Sequence, residues 1–353
     1  MTRPMHRLAG PAALGAAALL ALAGCSDDPD PPSPGPPGWQ VVLDKADLDR
    51  AVLSVWGSRP DDVFVVGGPL GNSGLETLAL HYDGAAWRDL APGGDETFWW
   101  VGGSGPDDVW MVGERGRIAH WDGAAFTAHD VATTATLWGV VALSPTDAWI
   151  VGGTPGKGTE APNDIVLHWD GAAWLPEALP GAPLGRALYK VWGESSDDLY
   201  AVGEAGIIWH RAGGAWERQD DPALTSGTLF TVTGCGPSEV YAVGGSAVLR
   251  SDGQAWTPLD VTLGNSVNGV ACGAPGEAAI VGFGGLKQRL VEGAWVNEFT
   301  EEPYADLHAS WAEGGGAFWA VGGDWLSQAT PDRARVGVVA RYGSGSIVEA
   351  IEP

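Results

Sequence analysis

The stretch GPDDVWMVGERGRIAHWDGAAF, Gly105–Phe126, is one of seven near-copies in this chain. RPDDVFVVGG (59–68) with LALHYDGAAW (78–87) precedes it. SPTDAWIVGG (144–153) with IVLHWDGAAW (165–174), SSDDLYAVGEAGIIWHRAGGAW (195–216), GPSEVYAVGGSAVLRSDGQAW (236–256), APGEAAIVGFGGLKQRLVEGAW (274–295) and GGGAFWAVGG (314–323) follow. The glycine closing each V-G falls at 67, 113, 152, 203, 244, 282 and 322, in steps of 46, 39, 51, 41, 38 and 40 residues. A repeat near forty residues without sustained helical periodicity marks propeller blades rather than a helical solenoid.

Each unit reads as four strands. LSVWG (53–57) and VFVVG (63–67) are two runs rich in β-branched and aromatic residues, with PDD as the turn between them. A glycine-containing turn leads to a third run such as IAHW (118–121). DGAA (122–125) is a hairpin, because Asp-Gly readily takes positive φ, and WRDL (87–90) or WTPL (256–259) is a fourth run. A lone four-stranded sheet exposes two apolar faces, whereas seven packed in a ring bury them. The expected fold is therefore all-β, a seven-bladed β-propeller with four antiparallel strands per blade, over residues 39–353. Two segments compete to close the ring. GWQVVL (38–43) matches the fourth-strand pattern; GSGSIVEA (343–350) sits where the last fourth strand should fall. Trp39 keeps the tryptophan register that Ile347 loses, which favours the first.

The repeats resemble propeller units of the Asp-box or BNR-like kind, and more loosely kelch repeats, over about residues 39–350. An Asp-box separates its Asp and Gly by one residue, whereas WDGAAW places them side by side. Sialidase-like chemistry is accordingly not carried over.

The start of the chain reads as an address. A short basic segment precedes LAGPAALGAAALLALAG (8–24), an apolar run short for a membrane span. LAGC (22–25) resembles the lipobox of bacterial lipoproteins. That resemblance implies a signal peptide over 1–24 and a diacylated Cys25 as the mature N-terminus. Residues 25–38 then form a lipidated, Pro-rich tether that stays extended. Ser26 rather than Asp after the cysteine points, by the same resemblance, to the outer rather than the inner membrane. The localisation expected is the cell envelope. Nineteen Lys and Arg stand against 44 Asp and Glu, a formal net charge of −25 with no basic cluster. This speaks against nucleic acid as a partner and against direct adsorption to an anionic membrane, so the membrane link is covalent.

An acid and a base change together along the repeats. Five residues before each marker glycine lie Asp62, Asp108, Asp147, Asp198, Glu239 and Glu277, then Ala317. Six before each fourth-strand aromatic lie His81, His120, His168, His210, Arg250 and Arg289, then Arg341 (counted from Ile347). Asp travels with His and Glu with Arg. The acid opens the second strand and the base closes the third, so six cross-strand pairs of one structural device are expected. One histidine per blade is too dispersed to assemble a zinc site, and the DD turns lack alternating oxygen ligands for calcium. No metal and no cofactor is expected.

Cys235 and Cys272 fall at adjacent positions at the end of the first strand in neighbouring blades. In an oxidising compartment they form either a disulfide or two buried thiols, and a Cα separation above 7 Å would exclude the first. Long connections at 69–77, 154–164 and 324–337 fall on one face and are the natural seat of binding. Trp87, Trp174, Trp216, Trp256 and Trp295 recur in register, as blade-packing residues do; Trp99, Trp100 and Trp325 do not, and are the candidate binding residues. There is no G-x-S-x-G, H-E-x-x-H or phosphate-binding loop, and no catalytic residue is assigned. A non-catalytic interaction scaffold with an unknown envelope protein as partner ranks first. A lectin-like glycan binder ranks second and a glycoside hydrolase or lyase third.

Overall fold

In the computed structural model the described residues are 36–44, 46–69, 75–326, 336–347 and 350–352. The signal peptide (1–24), Cys25 and most of the tether lie outside them, as do the middles of the connections 69–77 and 324–337. Seven antiparallel four-stranded sheets form, one per repeat. Blade one runs Ala51–Arg59, Asp62–Gly68, Leu78–Tyr82 and Trp87–Asp89 from the inside outward. Blades two to six follow the same order, beginning at Phe98, Thr136, Leu188, Thr231 and Val267.

Blade seven is built from both parts of the chain. Leu307–Gly314, Ala317–Gly323 and Gly337–Gly343 supply its inner three strands, and Gly38–Leu43 pairs antiparallel with the third as the outermost. Trp39 is buried there, and its indole N–H donates to Glu298 of blade six at 2.6 Å. Gly38–Leu43, not the competing segment, therefore supplies the fourth strand of blade seven. Ile351–Glu352, just beyond that segment, adds a short parallel strand to the outer edge of blade one.

Packing explains why the ring is needed. Seven apolar clusters form, and each lies at one junction between neighbouring blades. Trp87 of blade one, fully buried, meets the edge of Trp319 of blade seven at 6.0 Å. Truncating such a tryptophan to alanine costs about 3–5 kcal/mol. Trp216 and Trp256 are buried, and Trp174 and Trp295 pack partly buried against their clusters. The outer hairpins owe their shape to Asx turns. Asp122 Oδ1 accepts from the amides of Ala124 and Ala125, and Gly123 takes φ 89°. No helix among the described residues is long and apolar enough to cross a membrane.

Alternating strands define two faces. One carries the blade-to-blade links and the connections between second and third strands; it is called the upper face here. The innermost strands line an axial cavity of about 290 Å³. Trp56 and Trp311 narrow it towards the lower face. A Cβ on Gly103 would stand 2.6 Å from Trp56, so only glycine admits that ring.

Candidate functional site

The acid–base positions are structural, and their geometry differs among blades. His81, His120, His168 and His210 place Nε2 at 2.6, 2.7, 2.9 and 2.7 Å from Asp62, Asp108, Asp147 and Asp198. Each ring lies flat on the aromatic residue opposite it, Phe64, Trp110, Trp149 or Tyr200, at 4.1–4.2 Å. That residue stands two places after the aspartate, so the imidazole reaches the carboxylate diagonally. Asp108 also accepts from Ser104 and from the Trp110 indole. Burial works to raise its pKa, but these bonds, that of His120 foremost, outweigh it and hold the carboxylate below its ordinary range.

The Glu–Arg blades depart from expectation. Glu239 and Arg250 approach only to 3.8 Å, because Glu239 Oε1 is taken by the Tyr241 hydroxyl and the Gly276 amide. Glu277 and Arg289 do not pair. Ala279 faces Arg289 and offers no ring to guide it. The guanidinium instead lies 3.6 Å over Tyr342 and binds Glu298 at 2.5 Å, while Glu277 Oε2 is left buried without a partner. In blade seven, where the aligned position is Ala317, Arg341 pairs with Glu313 at 2.5 Å. Cys235 and Cys272 are joined by a disulfide, with a Cα separation of 5.2 Å. Glu239 lies beside these sulfurs, but with both cysteines oxidised the group presents no thiolate to a metal.

The site itself is at the upper mouth of the ring. Each innermost strand is entered by a fully buried apolar residue: Val52, Phe98, Leu137, Leu188, Leu229, Val267 and Leu307. The residue after it is Leu53, Trp99, Trp138, Tyr189, Phe230, Asn268 or His308. In six blades a β-bulge skips this residue, the register passing for example from Phe98 to Trp100 and from Leu188 to Lys190. In blade five, Phe230 directly precedes the strand. Bulges re-aim side chains and leave backbone groups unpaired.

The side chains so re-aimed meet as an aromatic belt. Trp99 touches Trp138 at 4.6 Å between ring centroids, Trp138 touches Tyr189 at 5.3 Å, and Tyr189 touches Phe230 at 5.6 Å. In the other direction Trp99 meets His308 at 5.7 Å, His308 meets Trp325 at 5.1 Å and Trp325 meets Phe283 at 5.5 Å. All seven rings are only partly buried.

The polar groups freed by the bulges are satisfied by side chains. Thr231 Oγ1 donates to the Asn268 carbonyl at 2.8 Å, Asn268 Nδ2 to that of His308 at 2.8 Å, and His308 Nδ1 to that of Leu53 at 2.5 Å. On the opposite side Lys190, 4 % exposed, donates to the carbonyls of Trp138 at 2.7 Å and Tyr189 at 3.1 Å. Its ammonium stands 4.0 Å from the Trp100 ring, passing Gly139, where a Cβ would lie 3.3 Å from the lysine chain. Burial drives the Lys190 pKa down to about 7. Burial, and then the nearby Lys190 charge, drive His308 to about 3, so its ring is neutral.

Trp99, Trp100 and Trp325, singled out by their irregular spacing, thus lie together: Trp99 and Trp325 in the belt, Trp100 beneath Lys190. Trp138, Tyr189, Phe230, His308 and Lys190 carried no comparable flag, although Trp99, Tyr189 and Phe230 hold one repeat position. The connection 154–164, by contrast, is stitched to itself by Asn163 and to blade four, where Glu204 accepts from the Gly156 amide at 2.7 Å. No carboxylate lines the axial cavity among the described residues.

No family model matches the chain, and no curated protein sequence matches it. Solved structures do. A structure titled YCF48 bound to D1 peptide aligns with a TM-score of 0.63 at 15 % identity, over 86 % of this chain and 96 % of that one. A streptogramin B lyase aligns with a TM-score of 0.67 at 13 % identity, over 88 % and 98 %. The WD40 propeller domain of Doa1 aligns at 0.63 and 9 % identity, over 86 % and 97 %. At such identities the likeness is one of fold.

Proposed function

We propose that this chain is a lipid-anchored protein of the cell envelope whose propeller is a non-catalytic interaction scaffold, docking a protein partner on the aromatic mouth. The observation that carries this reading is the half-buried belt from Phe230 to Phe283. Rigid aromatic rings partly open to solvent are what protein anchors use, and an apolar surface of this kind is costly to leave without a purpose. Among the structural neighbours, the YCF48 structure has a D1 peptide bound, and the WD40 domain shares the ring architecture. The lipobox-like LAGC, the Pro-rich segment after it and the acidic surface support a tethered envelope location, on the outer membrane.

A glycan is the second reading, favoured by the adjacency of Trp99 and Trp138. Their planes are 59° apart, which gives no flat platform for sugar stacking, so the protein reading stands first. Hydrolase or lyase chemistry ranks third, since among the described residues no pair of carboxylates lines the axial cavity.

The test has two parts. Palmitate labelling of the full chain should depend on Cys25 and vanish in Cys25→Ser. Immunoprecipitation of the full chain from envelope extracts should recover a protein that Trp99→Ala/Trp138→Ala loses and Asp122→Ala, on the lower face, retains. Equal recovery with both variants would remove the mouth from the function.

A further inference from the structure

We propose that the mouth is a receptor for a carboxylate carried on an apolar or aromatic group, with Lys190 as its charge partner and the belt as its walls. This rests on the docking reading and names the chemistry of what enters.

Lys190 is the anomaly that motivates it. A buried cation without an anion is strongly unfavourable, and proteins pair such groups. This chain follows that rule elsewhere. Arg289 has Glu298 and Arg341 has Glu313. Lys287, also buried, likewise donates to two carbonyls, those of Gly285 and Pro303, but has Glu298 and Glu301 near enough to act on its charge. Among the described residues no acidic group pairs with Lys190 or acts on it. Two of its three N–H donors go to the Trp138 and Tyr189 carbonyls. The third has no oxygen acceptor among the described residues.

A second unsatisfied donor belongs to the same belt. The Trp99 Nε1 atom is buried without a partner, and its ring touches both Trp138 and His308. Both donors border Trp138, Lys190 through its carbonyl and Trp99 through its ring, and an ionised carboxylate there accepts several hydrogen bonds at once. His308 adds no competing charge and has already committed Nδ1 to Leu53. The rings around these donors select what the carboxylate is attached to. An apolar or aromatic group replaces water against Trp138, Tyr189 and Phe230, and the dry surroundings strengthen the charge contact. Two sources carry this chemistry: a free aromatic acid, or the C-terminal carboxylate of a chain ending in an apolar residue.

The test is calorimetric titration of the full chain with N-acetylphenylalanine and with its uncharged amide, N-acetylphenylalaninamide. The acid is expected to bind about tenfold more tightly than the amide, as a charge-assisted bond exceeds a neutral one. Lys190→Met should erase that preference, and Lys190→Arg should keep part of it. Equal affinities for acid and amide in the unaltered protein would overturn the proposal, as would absence of binding by either or an acid preference that survives in Lys190→Met. The acid–amide comparison needs no variant, so a misfolded Lys190→Met leaves it decisive. A tetrapeptide Gly-Gly-Gly-Phe compared with its C-terminal amide separates the sources. Tighter binding than N-acetylphenylalanine identifies a chain terminus and equal binding a free acid, each supporting the carboxylate site. If neither ligand binds but the partner is still lost in Trp99→Ala/Trp138→Ala, the carboxylate proposal falls and the docking reading stands.

Discussion

His308, in blade seven, donates from Nδ1 to the carbonyl of Leu53, in blade one, at 2.5 Å. This bond crosses the seam where the two ends of the propeller meet. Gly38–Leu43 completes blade seven on one side of it, and Ile351–Glu352 edges blade one on the other. A ring of blades is only as closed as this junction, and a β-bulge at each residue left the Leu53 carbonyl in need of a donor.

Replacing His308 by leucine should therefore destabilise the fold by about 1–3 kcal/mol, the cost of a buried carbonyl left without its donor. The urea midpoint of His308→Leu against the unaltered protein measures it. An unchanged midpoint would mean that the bond does not hold the seam.

The acid positions should respond unequally. Asp108 serves Ser104, Trp110 and His120, so Asp108→Ala orphans three donors and should cost about 3 kcal/mol or more. Glu277 Oε2 is buried and serves none, so Glu277→Gln should fall within about 0.5 kcal/mol of neutral. Chemical unfolding of the two variants side by side checks this. Equal losses would restore a Glu277–Arg289 pair.

The contrast shows what the sequence makes legible. Four pairs could be anticipated because each Asp stands five residues before its marker glycine and each His six before the fourth-strand aromatic, and the ring two places after the Asp then sets the geometry. The other blades break that chain. Ala279 removes the platform in blade six, and Glu313 answers Arg341 from outside the aligned position. The seven blades were legible because the same short motif recurs, at steps of 38 to 51 residues. The mouth was only half legible. A bulge interrupts the two-residue period, so Trp99 looked irregular although it shares a repeat position with Tyr189 and Phe230. Nothing in the alternation around Lys190 signals that a lysine is buried there without an acid.

Stability should carry the mark of Lys190 as a function of pH. The unfolded chain holds this proton up to about 10.5, the folded one only to about 7. Between those values the unfolded state binds more protons, so the free energy of unfolding rises with pH, by up to about 1.4 kcal/mol per unit. His308, the titratable neighbour, is neutral throughout that window. Subtracting the profile of Lys190→Met from that of the unaltered protein isolates the effect. A difference that is flat between pH 7 and 9.5 would refute it.

Reduction of the Cys235–Cys272 bond, which spans 37 residues between blades five and six, should cost about 2–4 kcal/mol. Thermal unfolding with and without a reductant, using Cys235→Ser/Cys272→Ser as the fixed reference, gives the value. A melting temperature indifferent to both would assign the bond no structural weight.

The most direct measurement is site-specific photo-crosslinking of the full chain in intact cells, with a photoreactive residue in place of Trp138 at the mouth or of Asp122 on the lower face. The account predicts a discrete protein adduct from position 138 and none from position 122. Adducts from position 122 alone, or equal adducts from both, would contradict it.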